Sequence, residues 1–558
     1  MATFLENAFG QLGRAAERLV LREIHGSDFR SVTGRELLEL VARARAFLRQ
    51  SGLQVGDRCA LLGANSIRWA AIDLALMAEG IIAVPLYSRQ EPAELAAMMQ
   101  DCAPRLLLCP DAVLGEAVVQ VWPQTPQRVT FEEILQDSAT AKPVSGGPIP
   151  RRDADLVTII YTSGTSGEPK GVCLNTGNLN HMLACTAGWM DGLGYNGREP
   201  MRVFQYLPFN FAASWIVMMS CLSKDTVLTL STDLNKLADE IRISAPNYFF
   251  NVPTLLERVR RGVDEALGKR GGMIQKIYRN AAQAWQRKQE GKSRGSDAFW
   301  LSVGQKLIFK NIRDRFGQNL RGLVCGSAPL APETQEFFAM LGIPVWQVYG
   351  LTETCGICTM DDPHLVSESG RVGQSVSGIE MKTGENDEIL VRGPNIFPGY
   401  WNRPEDTARV LREGWFHSGD QGEMNSRGNW RISGRIKNLL VLNSAHKVAP
   451  EPLEEKITQG LAGVQQVVVV GNGRGYLCAL ITGAVEARAA QDAIDAVNME
   501  VPHYRQIRNF TILREAFTPE SGLLTANGKL RRDAINAKFQ GEIEQMYAKH
   551  AVAAGTNR

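Results

Sequence analysis

From position 156 to 171 the chain passes from an apolar run, with Leu156, Val157, Ile159 and Ile160, into YTSGTSGEPKG. An apolar, β-branched run of this length reads as a buried strand. The residues after it cannot continue a strand. Gly164 and Gly167 let backbone N–H groups turn inward, Thr162, Ser163, Thr165 and Ser166 add hydroxyl donors, and Lys170 adds a cation. A loop of that chemistry at a strand end is built to hold phosphate. Its spacing is not that of the GxxxxGK[ST] loop, and small polar residues alone also make flexible linkers, so the reading needs support from the rest of the chain.

That support begins with the pattern of elements. Helical stretches such as GRELLELVARARAFLRQSG alternate with short β-rich runs, RCALLGA, IIAVPLY, RLLLCP, TVLTL and GLVCG. Such alternation is how parallel sheets covered by helices appear in sequence, and it predicts an α/β fold. With 558 residues the chain can build several cores, so one large N-terminal region and one smaller C-terminal domain is the natural partition. The Pro- and Gly-rich stretch 141–152 reads as an exposed connection before the phosphate loop. Around 386–430 short strands and turns take over, with NRPEDT opening a helix. From about 437 onward a further unit has its own strands, VQQVVVVG and YLCALIT, and a helical tail.

Charge narrows the partners. The 61 Lys+Arg against 59 Asp+Glu give no support to a nucleic-acid or polyanion-binding role and point to a small molecule. Ten scattered cysteines without framework spacing read as reduced thiols of a cytoplasmic protein. The start lacks the basic-then-apolar order of a signal peptide, and the longest apolar stretch, 70–86, is broken by Asp73 and Glu79, so no membrane span is expected. A basic cluster in 258–321, including Lys269, Arg270, Arg287, Lys288, Lys292 and Arg294, reads first as solvated helix faces, with the phosphates of a small-molecule ligand or peripheral contact with anionic lipid as the other readings.

Three downstream segments complete the pattern: YGLTETCG at 349–356, WFHSGDQGEMNSRGNWRISGRIKN at 415–438, and LTANGKLRRDAI at 524–535. Together with the phosphate loop, and in this order, they resemble the adenylate-forming (ANL) superfamily of acyl-CoA synthetases, peptide-synthetase adenylation domains and luciferases. The resemblance extends from about 70 to about 547. Linking segments such as LALMAEGIIAVPLY, KLIFKNIRDRFGQNLRGLVCGSAPL and VAPEPLEEKI are most similar to the long-chain fatty acyl-CoA synthetases. It implies an adenylation (AMP-binding) domain over 1–434 containing a small β-rich subdomain, a hinge at 435–437, and a mobile α+β C-terminal domain over 438–558.

The implied reaction explains the residue types. A carboxylate resists nucleophiles, so joining it to a thiol passes through an acyl-adenylate with expulsion of pyrophosphate. Two anions must meet, and preorganised cations and donors that strengthen toward the transition state make that feasible. By resemblance, Lys529 bridges the carboxylate and the α-phosphate. Thr162, Ser163, Gly164 and Thr165 follow the β- and γ-phosphates, with Lys170 at the loop's end. Glu353 is the Mg²⁺ ligand and Thr352 an α-phosphate donor. Tyr349 with Gly326, Ser327 and Ala328 forms the adenine slot. Asp420 accepts the ribose hydroxyls, Arg435 contacts ribose at the domain junction, and Lys437 is the hinge.

Two departures matter. LPFNFAASWIV carries Phe211 where the family segment usually has a histidine, which makes that end of the acyl pocket more apolar, and Trp215 one turn later matches an aromatic that gates the tunnel in some members, with a core tryptophan as the alternative. In LNSAHKVAP, Ala445 replaces the glycine beside the thiol tunnel, where a Cβ narrows the tunnel or excludes φ > 0. The Cys355-x-x-Cys358 pair reads as local packing. Gly471, Gly473 and Gly475, lying between two strand-like runs, read as a hairpin turn.

These expectations describe an ATP- and Mg²⁺-dependent acid–thiol ligase that adenylates a medium- or long-chain fatty acid and transfers it to CoA. A rival keeps the first half-reaction and loads a holo acyl carrier protein. A third, from a different class, is an inactive acyl or nucleotide sensor.

Overall fold

The computed structural model describes residues 2–136, 144, 146–163, 168–193, 199–518, 521–524 and 529–555. The chain divides into two compact units. The first comprises Met1–Met381, Val391–Phe416 and Asn425–Trp430; the second comprises Lys382–Leu390, His417–Met424 and Arg431–Arg558.

The expected alternation is realised in the first unit. Arg58–Gly63, Ile82–Tyr87, Leu106–Cys109 and Thr226–Leu230 are strands, and their apolar side chains are buried almost without exception, as strands covered on both faces require. Arg58–Gly63 pairs in parallel with Ile82–Tyr87 on one side and Leu106–Cys109 on the other. The strand Leu156–Ser163 lies next to Ile82–Tyr87 in a seven-stranded sheet. In a nine-stranded sheet, Val345–Tyr349, Leu323–Cys325, Tyr248–Asn251 and Met201–Gln205 are consecutive parallel neighbours.

Helix starts follow local chemistry. The stretch GRELLELVARARAFLRQ forms Gly34–Gln50 because Thr33 caps it and Glu36 reaches back to the Thr33 N–H, a reciprocal capping box. NRPEDT opens Pro404–Val410 with proline in its first turn, where the missing N–H is no loss. The helix Ala212–Leu222 begins differently. Phe211 is its cap and makes no side-chain cap bond, so packing and not capping fixes where this helix starts.

In the second unit, VQQVVVV and LCALITG pair antiparallel with Val470 opposite Cys478, so the glycines between them form the hairpin turn that the sequence suggested. Leu477–Gly483 pairs in parallel with Ile507–Leu513. Helices Glu451–Gly460 and Ala487–Met499 contribute Leu453, Ile457, Ala490 and Ile494 to the core beneath this sheet. Among the described residues no helix is long and apolar enough to cross a membrane.

Candidate functional site

The two segments that flank residues 164–167 pair as antiparallel strands. Leu156–Ser163 pairs with Pro169–Asn175, and the register reaches Thr162 opposite Lys170 and Ser163 opposite Pro169. The chain thus leaves and re-enters the sheet within a few residues, which holds Thr162 and Lys170 on neighbouring rungs. Gly164 and Thr165, assigned to phosphate by resemblance, lie outside the described residues. The Lys170 ammonium meets Asp406 Oδ2 at 3.0 Å and stands 5.3 Å above the Tyr400 ring.

Tyr400 links the hairpin to the turn that carries Glu353, the expected Mg²⁺ ligand. It belongs to the short strand Gly399–Tyr400, which pairs with Cys173 and Val172 of the hairpin, and its Oη donates to Glu353 Oε1 at 2.8 Å. Glu353 and Thr352 lie on a single 3-10 turn, Thr352–Thr354, directly after the strand Val345–Tyr349. The turn is anchored from within: the Leu351 N–H donates to Thr354 Oγ1 at 2.9 Å, the Asn395 amide donates to the Thr354 carbonyl at 3.2 Å, and the Phe397 N–H donates to the Glu353 carbonyl at 2.9 Å. One half-buried carboxylate fixed through a single oxygen suits a hard cation that takes most of its shell from phosphate and water. Among the described residues no group of three His, Cys, Asp or Glu side chains could hold a metal by itself.

Gly326, Ser327 and Ala328 follow the next parallel strand, Leu323–Cys325, at its C-terminal end, where open α/β sheets bind ligands. Gly326 is required by space: a Cβ there would come within 2.6 Å of Val348 Cγ2 and 2.9 Å of the Val348 carbonyl. Ser327 takes φ 76, a conformation few non-glycine residues adopt. Tyr349 closes the adjacent strand and is half-buried. The first unit therefore brings Thr162, Lys170, Thr352 and Glu353 onto one set of linked turns, and Tyr349 with Gly326–Ala328 onto adjacent strand ends.

Phe211 and Trp215 differ from each other. Phe211 is half-buried and stacks on Phe250, ring centres 6.1 Å apart. Trp215 is 1% exposed, and its indole N–H donates to Asp73 Oδ2 at 2.7 Å.

The second unit brings Asp420, Arg435 and Lys437 together. Asp420 Oδ1 accepts from Arg435 Nε at 2.8 Å, with the carboxylate 6% exposed and the guanidinium 40%; this pairing compensates a buried charge. The Asp420 strand is held by Glu388, which accepts from the Gly419 N–H at 3.0 Å and pairs with His417 Nδ1 at 2.9 Å. Desolvation and the neighbouring Arg435 lower Lys437 to about 8, opposed by Asp533 and Asp420. The residue as a whole is exposed, so solvent screens this effect. Lys529 is an exposed residue of the second unit, beside the isolated bridge between Leu524 and Leu530.

Ala445 corrects one expectation. Its Cβ does not exclude positive φ: the residue sits at φ 64, in the turn where the Leu442 N–H donates to the His446 carbonyl at 2.9 Å. The glycine-like path is kept, and the methyl group is what changes. Cys355 and Cys358 are both fully buried in packing, where burial pushes the Cys355 thiol up.

Tyr400 and Asp406 were not singled out from sequence, and Asp73 was read there only as a break in an apolar stretch. Tyr400 and Asp406 fall within FPGYWNRPEDT, a turn-rich segment whose only sequence signal was the helix start. Their roles appear once the short strand Gly399–Tyr400 joins the hairpin.

The chain is similar to proteins characterised elsewhere. It is 28% identical over 568 residues to the long-chain-fatty-acid–CoA ligase FadD15 of Mycobacterium bovis, covering 93% of this chain and 92% of the relative. It is 30% identical over 575 residues to the peroxisomal long chain acyl-CoA synthetase 7 of Arabidopsis thaliana, covering 90% and 79%. Its fold matches O-succinylbenzoate coenzyme A synthetase (MenE) of Bacillus subtilis, solved in complex with ATP and magnesium ion, with a TM-score of 0.72 at 19% identity over 94% of this chain and 98% of that one. The AMP-binding enzyme family model matches residues 11–401 and the AMP-binding enzyme C-terminal domain matches 437–551, and the chain belongs to this adenylate-forming family.

Proposed function

We propose that this protein is an ATP-dependent ligase that converts a medium- or long-chain fatty acid to its acyl-adenylate and passes the acyl group to CoA. The observation that carries the reading is the Lys170–Tyr400–Glu353 linkage, which ties the phosphate hairpin to the turn bearing the expected Mg²⁺ ligand. It has the support of relatives, 28% and 30% identical over nearly the whole chain, that are named for this activity.

Each residue has a defined task. Thr162 and Lys170 hold the β- and γ-phosphates, and Tyr349 with Gly326–Ala328 flanks the adenine. Glu353, oriented by Tyr400, would hold Mg²⁺, which when bound would supply charge neutralisation for the pyrophosphate. Thr352 donates to the α-phosphate. Asp420, paired with Arg435, accepts the ribose hydroxyls. Lys529 draws carboxylate and α-phosphate oxygens together, a preorganised charge contact of the kind worth roughly 3 kcal/mol or more at a transition state. Lys437 serves as the hinge through which Lys529 withdraws before the thiol attacks. Phe211 and Trp215 border the fatty chain. The ten free cysteines, nine of them buried, suit a reducing cytoplasm.

The acceptor is tested by supplying purified protein, ATP, Mg²⁺ and a fatty acid with either free CoA or a holo acyl carrier protein. Acyl-CoA formation is expected; acylation of the carrier alone would replace this reading with a carrier-loading one.

A further inference from the structure

Asp73 lies in the middle of the helix Ile67–Ala78, in which every residue from 69 to 78 is buried. It is 1% exposed, and burial pushes its carboxyl up to about 7, opposed by the hydrogen bond from Trp215. Burying an acid is unfavourable unless it is compensated, and well-packed apolar residues commonly serve a fold better than a buried polar pair. What the acid supplies here is one directional bond, 2.7 Å long, from Trp215 Nε1, 142 positions away in the sequence.

Two further ties run from the start of the same helix to the same distant segment. The Asn65 side chain donates to the Leu207 carbonyl at 2.8 Å and accepts from the Phe209 N–H at 2.9 Å. The Trp69 ring meets Phe209 at 5.1 Å. Segment 207–215 is thereby fastened at three points, two on this helix and one at Asn65 just before it. From this segment Phe211 reaches Phe250, and the neighbouring Asn251 carbonyl accepts the Gly326 N–H at 3.1 Å, so the fastened segment abuts the strand ends assigned to the adenine. Because Ala212–Leu222 has no side-chain cap at Phe211, these ties fix its first turn.

We propose that Asp73 is a positioning residue for acyl-chain selection: by holding Trp215 it sets the first turn of the helix Ala212–Leu222, and with it the wall that Phe211 and Trp215 present to the fatty chain. The inference rests on the assignment of Phe211 and Trp215 to the acyl pocket made under Proposed function. Asp73 touches no substrate and acts through the indole.

The test compares kcat/KM over a series of saturated fatty acids, from about eight to 18 carbons, for the wild type, Asp73→Leu, Trp215→Phe, their double variant and Asp73→Asn, with thermal midpoints alongside. Asp73→Leu removes the acceptor, Trp215→Phe removes the donor, and Asp73→Asn keeps an acceptor of the same shape. Both single variants should move the preferred chain length in the same direction, by about fourfold in relative kcat/KM for each methylene that gains or loses a wall. The double variant should add little to either, and Asp73→Asn should retain the wild-type profile. Lower thermal midpoints with unchanged ratios between acids would overturn the proposal. So would a shift caused by Trp215→Phe that Asp73→Leu does not reproduce. Should Asp73→Leu fail to fold, Trp215→Phe and Asp73→Asn still decide: an unchanged profile in Trp215→Phe, or a shifted one in Asp73→Asn, overturns it. A wild type that activates no fatty acid would instead refute the functional reading on which this rests.

Discussion

One phenol governs the direction of the carboxylate expected to meet Mg²⁺. Glu353 carries its motif's identity in sequence, but its orientation comes from Tyr400, 47 positions later. Tyr400→Phe keeps the ring beneath Lys170 and removes only the donor. Loss of such a partner behind a metal ligand typically weakens metal affinity or activity by about 10- to 100-fold, and a raised Mg²⁺ requirement in pyrophosphate release, with the thermal midpoint nearly unchanged, is the expected readout. Asp73 gives a residue-scale prediction in pH. Its folded carboxyl titrates at about 7 against an ordinary value of 3.8, so between these values the native state binds the extra proton and stability falls as pH rises. Asp361, also raised to about 7 by burial, contributes with the same sign. Asp73→Asn should therefore shallow the decline between about pH 4 and 7 without abolishing it, as thermal midpoints across that window would show; an identical slope would remove Asp73 from the account. At this scale the sequence offers an assignment where one short motif suggests a role, as for Thr352 and Glu353. It was silent where two residues far apart in the chain must meet. Nothing local distinguishes Tyr400 from any aromatic in a turn, or Asp73 from an interruption in an apolar run.

Elements were more legible than their junctions. Buried strands announce themselves by uninterrupted apolar runs, and Gly34–Gln50 by its capping residues, because these signals are local and repeat along the chain. The hairpin geometry of the phosphate loop, and the addition of Gly399–Tyr400 to its edge, depend on pairing that no period reveals. Two turns yield predictions. Ala445 occupies the left-handed region at φ 64, which burdens an L-residue by about 1–2 kcal/mol, whereas glycine adopts it freely at some loss of unfolded-state restriction. Ala445→Gly should raise stability by about 0.5–1 kcal/mol, measured by denaturant titration, and a decrease would show that the turn is not strained. Lys437 is the middle residue of the 3-10 turn Ile436–Asn438, where an N–H has no intrahelical partner and φ is close to that of proline. Lys437→Pro should leave fatty-acid-dependent pyrophosphate release largely intact while thioester formation falls on the order of 100-fold, the scale of a misplaced catalytic group. Unchanged thioester yield would exclude a hinge there.

For the whole molecule, nearly balanced charge and the alternation of strands and helices pointed to an α/β enzyme acting on a small molecule, and the match to the AMP-binding enzyme family over 11–401 and 437–551 fits both. Thr162, Lys170, Thr352 and Glu353 belong to the first unit, and Asp420, Arg435, Lys437 and Lys529 to the second. On the proposed reading, adenylate formation should depend on Lys529 even where the first unit is intact. The measurement that bears most directly on the account is fatty-acid-dependent exchange of labelled pyrophosphate into ATP by the purified protein, run beside Lys529→Ala. The account predicts exchange that requires both Mg²⁺ and a long-chain acid and falls by at least about 100-fold in the variant; no acid-dependent exchange in the wild type, or equal exchange in the two proteins, would contradict it.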